Sequence, residues 1–236
     1  MAEPSQIIDQ VSKHLEKLNS FKGKKVLVTA GPTYEALDPV RFIGNHSTGK
    51  MGYALAEALA SRGAEVKLVS GPSSLECAHP RIELIRCTSA QEMDEHCRRI
   101  FPEVDIAILS AAVADYRAKS IASEKIKKTE NSLILELEKT PDIAAGLGSI
   151  KKPGQYLIGF ALETEHELEH AREKLLKKNF DAIALNSLRD SGAGFGYDTN
   201  KITLLARDGG SISYDLKPKR EVASDIVNFI FEKIHV

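Results

Sequence analysis

The run Asp105-Ile-Ala-Ile-Leu-Ser110 is short and almost wholly apolar. A strand with one wet face alternates polar and apolar residues, whereas a strand without alternation needs cover on both faces. This segment therefore belongs in the middle of a sheet with helices on either side. Its neighbours agree. Strands are expected at 26–29, 65–70, 82–86, 156–160 and 181–185, and helices at 52–62, 90–99, 165–178 and 219–234. The alternation predicts an α/β fold with a mainly parallel sheet in three layers, and no internal repeat is present. Bound ligand is expected at the carboxyl ends of the strands, near a switch in strand order.

Smaller elements fill the remainder. An amphipathic helix is expected at 7–18, and Gly63 is a candidate cap for the helix before it. The stretch 120–131 is charged and reads as mobile, and 133–137 alternates like a half-exposed strand. Thr140-Pro141-Asp142 reads as an N-cap, a proline at the first helical position and an acid in the first turn. A hairpin of strands 202–205 and 211–214 turns across Asp208-Gly209-Gly210.

The length of 236 residues suits one large domain, or one and a half. Lys and Arg total 32 and Asp and Glu 33, a formal net charge of −1, which gives no electrostatic footprint for nucleic acid. No apolar run approaches the roughly 20 residues that cross a bilayer. The polar start Met1-Ala-Glu-Pro-Ser-Gln-Ile has no secretory core. Cys77, Cys87 and Cys97 form no Cys-x-x-Cys pair, so neither a disulfide framework nor a zinc cage is indicated, and a cytoplasmic setting fits.

The stretch from Gly31 to Gly52 carries the strongest chemical signal. It follows a strand and enters a helix, and Gly31, Ser47, Gly49, Lys50 and Gly52 lie along it. Backbone N–H groups are unsatisfied at a helix start and the helix dipole favours anions there, so a phosphate site is expected. Asp38, Arg41 and Asn45 lie in an insertion that an ordinary nucleotide loop does not need.

Three familiar motifs fail on context. Gly44-Asn-His-Ser-Thr-Gly-Lys50 matches seven positions of a P-loop, but the eighth is Met51, a poor magnesium ligand, and the loop lies well past the strand. His166-Glu-Leu-Glu-His170 has zinc-protease spacing, yet acids and lysines surround it as on a solvated helix face. Tyr197 and Lys201 have the spacing of short-chain dehydrogenases but lie in a glycine-rich turn before a strand. Nicotinamide chemistry is thus the alternative reading.

Four segments converge if the sheet is as expected: 45–52, 111–117, the lysine-rich 124–128, and Gly159-Phe160 with Lys174 and Lys178. Each alone has an ordinary explanation. Asp115 caps a turn, Lys125, Lys127 and Lys128 form a solvated run, Lys174 and Lys178 are surface lysines, and Phe160 is core. Together they make an anion cradle, a cationic lid and an aromatic contact, a combination suited to a nucleoside triphosphate.

At these residues the chain resembles the phosphopantothenoylcysteine synthetase family, in particular the synthetase half of the bacterial bifunctional coenzyme A enzyme. The likeness runs from about Lys24 to the last helix. It includes Val-Thr-Ala-Gly-Pro-Thr (28–33), Leu-Asp-Pro-Val-Arg-Phe-Ile (37–43), Asn-His-Ser-Thr-Gly-Lys-Met-Gly (45–52) and Ala-Ala-Val-Ala-Asp-Tyr-Arg (111–117). Further on come Glu-Lys-Ile-Lys-Lys (124–128), Lys-Thr-Pro-Asp-Ile (139–143) and Gly-Phe-Ala-Leu-Glu-Thr (159–164). It implies a Rossmann-like sandwich over 23–236 with a small β extension for dimerisation, preceded by a linker-like helical segment over 1–22.

The resemblance further implies a ligase that joins 4′-phosphopantothenate to L-cysteine through an acyl-nucleotide, with Mg2+ and CTP in the bacterial branch and ATP in the animal branch. Asn45 is then expected to hold the acyl-nucleotide, as a carboxamide both donates and accepts. Lys125 comes from the flap to neutralise phosphate. Gly31, Ser47, Gly49 and Gly52 line the triphosphate, and Ala111, Ala112 and Asp115 border pantothenate and nucleotide. Pro141, Asp142, Ile143, Ala144, Phe160, Lys174, Lys178 and Asn186 match nucleotide contacts. Arg41 reaches the partner subunit's substrate, which implies a homodimer. Metal ligands are left open. Gly44, Thr48 and Leu162 depart from common residues only slightly. The segment 1–7 resembles the linker after a flavin-dependent decarboxylase half, so the resemblance places flavin off this chain and implies an excised half or a free-standing synthetase.

Overall fold

A computed structural model describes residues 3, 19–127, 132–163, 165–187, 194 and 196–234. The helix expected at 7–18, Lys128 of the expected flap, and part of the glycine-rich stretch before Tyr197 lie outside the described residues.

In chain order the elements are β1 (Lys25–Ala30), β2 (Tyr34–Ala36), β3 (Phe42–Gly44), α1 (Lys50–Ala60), β4 (Glu65–Ser70), β5 (Ile82–Arg86), α2 (Ala90–Ile100) and β6 (Ile106–Leu109). They continue with β7 (Tyr116–Ala118), β8 (Leu137–Lys139), α3 (Ile143–Ile150), β9 (Tyr156–Glu163), α4 (Glu167–Lys177), β10 (Ala182–Ser187), β11 (Thr199–Ala206), β12 (Ser211–Pro218) and α5 (Lys219–Ile234). Eight strands form one sheet in the order β12-β11-β10-β9-β6-β1-β4-β5. The pairs from β5 across to β10 are parallel, and β11 and β12 are antiparallel additions.

The central strand behaves as its sequence requires. All four β6 residues are buried. Ile106 and Ile108 join the core under α1 and α5, while Ala107 and Leu109 join the core under α2, α3 and α4. Each fully buried isoleucine contributes about 1.5–3 kcal/mol relative to exposure. The three layers follow, and so does the position of the site. From β1 the chain moves outward through β4 and β5, then returns to lay β6 on the other side of β1. The switch in strand order lies between β1 and β6, and the crevice opens at the carboxyl ends there.

The structure corrects several expected boundaries. Asp142, not Thr140, is the N-cap of α3: its side chain accepts from the Ala145 N–H at 3.0 Å. Thr140 instead donates its hydroxyl to the Ala114 carbonyl at 2.6 Å. Helix α4 begins at Glu167 because His166 takes a left-handed φ of 46°. Of the strand expected at 133–137 only Leu137 is in a strand, since β8 pairs with the three residues of β7; Ile134 is 93% exposed. Gly63, at φ 95°, ends α1 as expected. The insertion after β1 holds a hairpin that the sequence did not announce, β2 paired antiparallel with β3.

Candidate nucleotide cleft

A cleft of about 690 Å³ opens at the carboxyl ends of β1, β6 and β9. Its back wall is made by main chain. The Thr29 carbonyl accepts from Ser110 Oγ at 2.6 Å, and Thr29 Oγ1 accepts from the Ala111 N–H at 3.2 Å. The Ala112 N–H donates to the Gly31 carbonyl at 2.9 Å, and the Thr33 N–H to the Ala112 carbonyl at 3.3 Å. The loops after β1 and β6 are therefore stitched together before any ligand arrives.

Helix α1 points its N-terminus into this wall. Gly49 is its N-cap at φ 83°, and a left-handed cap without a side chain leaves its amides uncovered. A Cβ on Gly52 would sit 2.5 Å from the Ala30 Cβ and 2.7 Å from Ser110 Oγ. Only glycine lets the helix start approach the strand ends this closely. The Ser47 hydroxyl accepts from the Gly49 N–H at 3.3 Å, which holds the turn.

Asn45 is fixed across the loop after β6. Its Nδ2 donates to the carbonyls of Ala112 and Val113, both at 3.1 Å. Because both partners are carbonyl oxygens, the amide orientation is determined. With both Nδ2 hydrogens engaged, Oδ1 is the atom left to meet a ligand. The dual donor and acceptor role expected for this carboxamide therefore requires one of these bonds to be exchanged.

The rim is cationic. Five lysines line the cleft, Lys50, Lys139, Lys174, Lys178 and Lys219, against the two carboxylates of Asp115 and Asp142. Lys178 pairs with Asp142 at 3.0 Å, Lys174 with Glu163 at 2.5 Å, and Lys50 with Asp198 at 2.5 Å. Burial raises the Asp142 carboxyl, but the Ala145 N–H and the Lys178 ammonium outweigh it and hold the group below its ordinary value. Phe160 and Ala144 add apolar wall, with Pro141, Ile143 and Asn186 beside them.

Three expected contributors stand away from the cleft wall. Gly31 is buried behind Gly49, against the Gly71 main chain. Lys125 is exposed on the flap. Arg41 is engaged within its own chain: Nε lies 3.1 Å from Asp38 Oδ2, and its guanidinium donates to the Ile126 carbonyl. Asp38 also accepts from the N–H groups of Val40, Arg41 and Ile126, so one buried carboxylate ties the insertion to the flap. Burial opposes ionisation of Asp38, but these donors and the Arg41 charge prevail and its carboxyl lies below the usual range.

Several wall residues escaped the sequence reading: Thr29, Ser110, Lys139, Asn200 and Lys219. Asn200 is 1% exposed and donates to Asn186 Oδ1 at 3.3 Å. Lys219 is 8% exposed. For Thr29, Asn200 and Lys219 the signal is burial of polar groups, which is invisible until the fold is known. Tyr197 is exposed before β11 and Lys201 lies on β11, so the pair has no helical face to share. His166 lies outside α4, and although its ring stands 6.0 Å from that of His170, both side chains are exposed beside Glu169 and Glu163, as on a solvated face. Among the described residues no helix is long and apolar enough to cross a membrane.

Comparison with known proteins agrees with this geometry. Residues 21–234 match the family described as DNA/pantothenate metabolism flavoprotein C-terminal domain. A curated relative from an unknown prokaryotic organism, named cysteine/cysteine sulfinic acid decarboxylase, is 46% identical over 239 residues, covering 100% of this chain and 67% of that protein. The coenzyme A biosynthesis bifunctional protein CoaBC of Bacillus subtilis (strain 168) is 44% identical over 232 residues, 98% of this chain and 57% of that protein. The chain thus spans little more than half of that bifunctional relative. The crystal structure of the C-terminal domain of a coenzyme A biosynthesis bifunctional protein CoaBC superposes with a TM-score of 0.79 at 41% identity, covering 92% of this chain and 98% of that one. By sequence and by fold, the chain belongs to the DNA/pantothenate metabolism flavoprotein C-terminal domain family.

Proposed function

We propose that the chain is a phosphopantothenate–cysteine ligase that uses CTP. The observation that carries this reading is the cleft itself: a main-chain anion cradle at the start of α1, beside the fixed carboxamide of Asn45 and under a surplus of lysines. The coenzyme A biosynthesis named for the CoaBC relatives supplies the substrate class.

In this reading the carboxylate of 4′-phosphopantothenate attacks the α-phosphorus of CTP. A P–O bond forms, the bond to the β-phosphate breaks, and pyrophosphate leaves with its charge held by the amides at Gly49 to Gly52, while the rim lysines hold the nucleotide equally before and during the step. The cysteine amine then attacks the acyl carbon, the C–O bond to CMP breaks, and the amine loses a proton as the amide forms. Asn45 Oδ1 accepts from that amine in this reading. Lys125 reaches the phosphates when the flap closes.

The wall carboxylates suit Mg2+ that arrives on the triphosphate. Such ions take one or two protein carboxylates and complete their shell from phosphates and water, and the exposed Asp115 is the wall carboxylate open to this role, since Asp142 is engaged by the Ala145 N–H and Lys178. When bound, the ion neutralises triphosphate charge.

Homodimerisation is part of the same proposal. Val40, Phe42, Tyr116, Ile121 and Leu137 are exposed apolar residues on or next to the two small sheets, and β2 lies beside β7. A second copy would cover them and bring its own Arg41 to this cleft. The decarboxylase half of the bifunctional relatives is the proposed fused or associated partner, and the cytoplasm is the proposed setting.

The direct test supplies CTP or ATP with phosphopantothenate and follows pyrophosphate. Release with CTP, and CMP release only after cysteine is added, is expected. Carbon dioxide release from cysteine sulfinate, with no nucleotide consumed, would instead support the name carried by the decarboxylase relative.

A further inference from the structure

The Gly44 to Lys50 run supplies the cradle through its main chain, yet its lysine is left without a role. Lys50 is the first residue of α1 and lines the cleft. Its ammonium donates to Asp198 Oδ1, a partner 148 residues away in sequence. The Asp198 side chain is 84% exposed and that of Lys50 is 36% exposed, so solvent screens the pair and little stability depends on it.

A second ammonium stands behind this bridge. Lys219 is buried on the same wall and donates to the carbonyls of Gly194 and Tyr197. Carbonyls satisfy its N–H groups without neutralising its charge. Burial lowers the affinity of Lys219 for its proton, nearby Lys50 lowers it further, and Asp198 only partly compensates. Lys219 also donates its main-chain N–H to the Asp198 carbonyl at 2.9 Å, which keeps its ammonium near a carboxylate that is bonded to Lys50, and an anion with more charge than a carboxylate would meet both ammonium groups.

We propose that Asp198 is a stand-in anion: its carboxylate takes, in the free protein, the place on Lys50 that a phosphate oxygen of the nucleotide takes in the complex. On binding, Lys50 exchanges Asp198 for the polyphosphate while Lys219 stays fixed behind it. The proposal rests on the ligase reading of this cleft and adds Lys50 and Lys219 to its phosphate-binding groups. Asp198 is suited to the exchange because a side chain this exposed returns to water at little cost. Glu163, the partner of Lys174, contrasts with it. Its side chain is only 13% exposed, and it also faces His170 Nδ1 at 3.7 Å.

The test is calorimetric binding of inorganic pyrophosphate to the whole chain in metal-free buffer. Asp198→Asn is expected to bind about two- to five-fold more tightly, the range set by losing a competing exposed ion pair. Lys50→Met is expected to bind about ten-fold more weakly, and Lys50→Arg close to wild type. In the double variant Asp198→Asn should bring no further gain, because its effect acts through Lys50. Thermal melts of each variant separate folding from binding. The exchange is overturned if Asp198→Asn leaves affinity unchanged or weaker, if its gain survives in the Lys50→Met background, or if wild type binds no pyrophosphate. Parallel turnover of CTP and phosphopantothenate keeps the two readings apart. Wild type that turns over while the pyrophosphate affinities stay flat removes the exchange alone, whereas absence of turnover removes the ligase.

Discussion

At the back of the cleft, Gly52, Ala111 and Ala112 present main chain that is already hydrogen-bonded into the sheet. At its rim, Lys50, Lys174 and Lys178 reach out on long side chains, each held by a carboxylate. The back wall is rigid because moving it would break the packing between α1, β1 and β6. The rim is conditional, because each lysine must give up an internal partner to meet a ligand. Position is thus set by main chain and core, while affinity is set by charges that can be redistributed.

Gly52→Ala gives the largest expected effect. The new Cβ forces α1 away from Ala30 and Ser110, and a displacement near 1 Å costs about 100-fold in pyrophosphate release. The overpacking lowers stability by about 1–3 kcal/mol, readable in a denaturant melt. A near-normal rate would show that the back wall tolerates movement.

Asn45→Asp attacks the same wall through its side chain. A carboxylate cannot donate to the Ala112 and Val113 carbonyls, so the group turns away. Pyrophosphate release is expected to persist while amide yield falls by about 100-fold, as when one oriented polar group is lost. Normal amide yield would remove Asn45 from the second step.

Rim variants should act on affinity alone. Lys178→Gln is expected to raise the KM for CTP by about ten-fold with kcat little changed, and to shift stability by under about 1 kcal/mol, since the Asp142 partner is half exposed. An equal fall in kcat would place Lys178 in the chemistry and blur the contrast.

The smallest effect on rate is expected at Asp38, which ties the insertion to the flap outside the cleft. Asp38→Asn weakens the clamp on Ile126, so the Ile126 amide should exchange faster and the first step slow by only a few-fold. The folded carboxyl is depressed, so its contribution to stability is complete above the unfolded value near pH 3.9 and is lost as pH falls from there through the folded value. The variant should therefore show a flatter acid limb in a pH series of melts. An unchanged acid limb would mean that the clamp does not titrate with folding.

The same division explains what could be read from sequence. The back wall was legible: the unalternating apolar run at 105–110 demanded a covered central strand, and Gly49 and Gly52 marked a close helix start. The cleft is lined by Asn45, Ser47, Asp115, Phe160, Lys174 and Lys178, as three of the four converging segments implied, while Lys125 of the fourth stands outside it. The rim was less legible, because a lysine reads as solvated until its partner is placed. Lys50 read only as one residue of a phosphate-binding stretch, and Lys219 only as the first residue of an expected helix. Their partners lie 148 residues away for Lys50 and 22 and 25 away for Lys219, separations that no local pattern encodes. The β2–β3 hairpin was missed for a related reason, since three-residue strands are too short to show a period.

The central claim is that a nucleoside triphosphate lays its phosphates against the start of α1, between the strand ends of β1 and β6. A crystal grown with CTP tests it most directly. The account expects triphosphate density within hydrogen-bond distance of the main-chain amides from Gly49 to Gly52, with Phe160 and Asn186 beside the nucleotide. Ordered CTP elsewhere on the chain, with these amides facing only water, would contradict it.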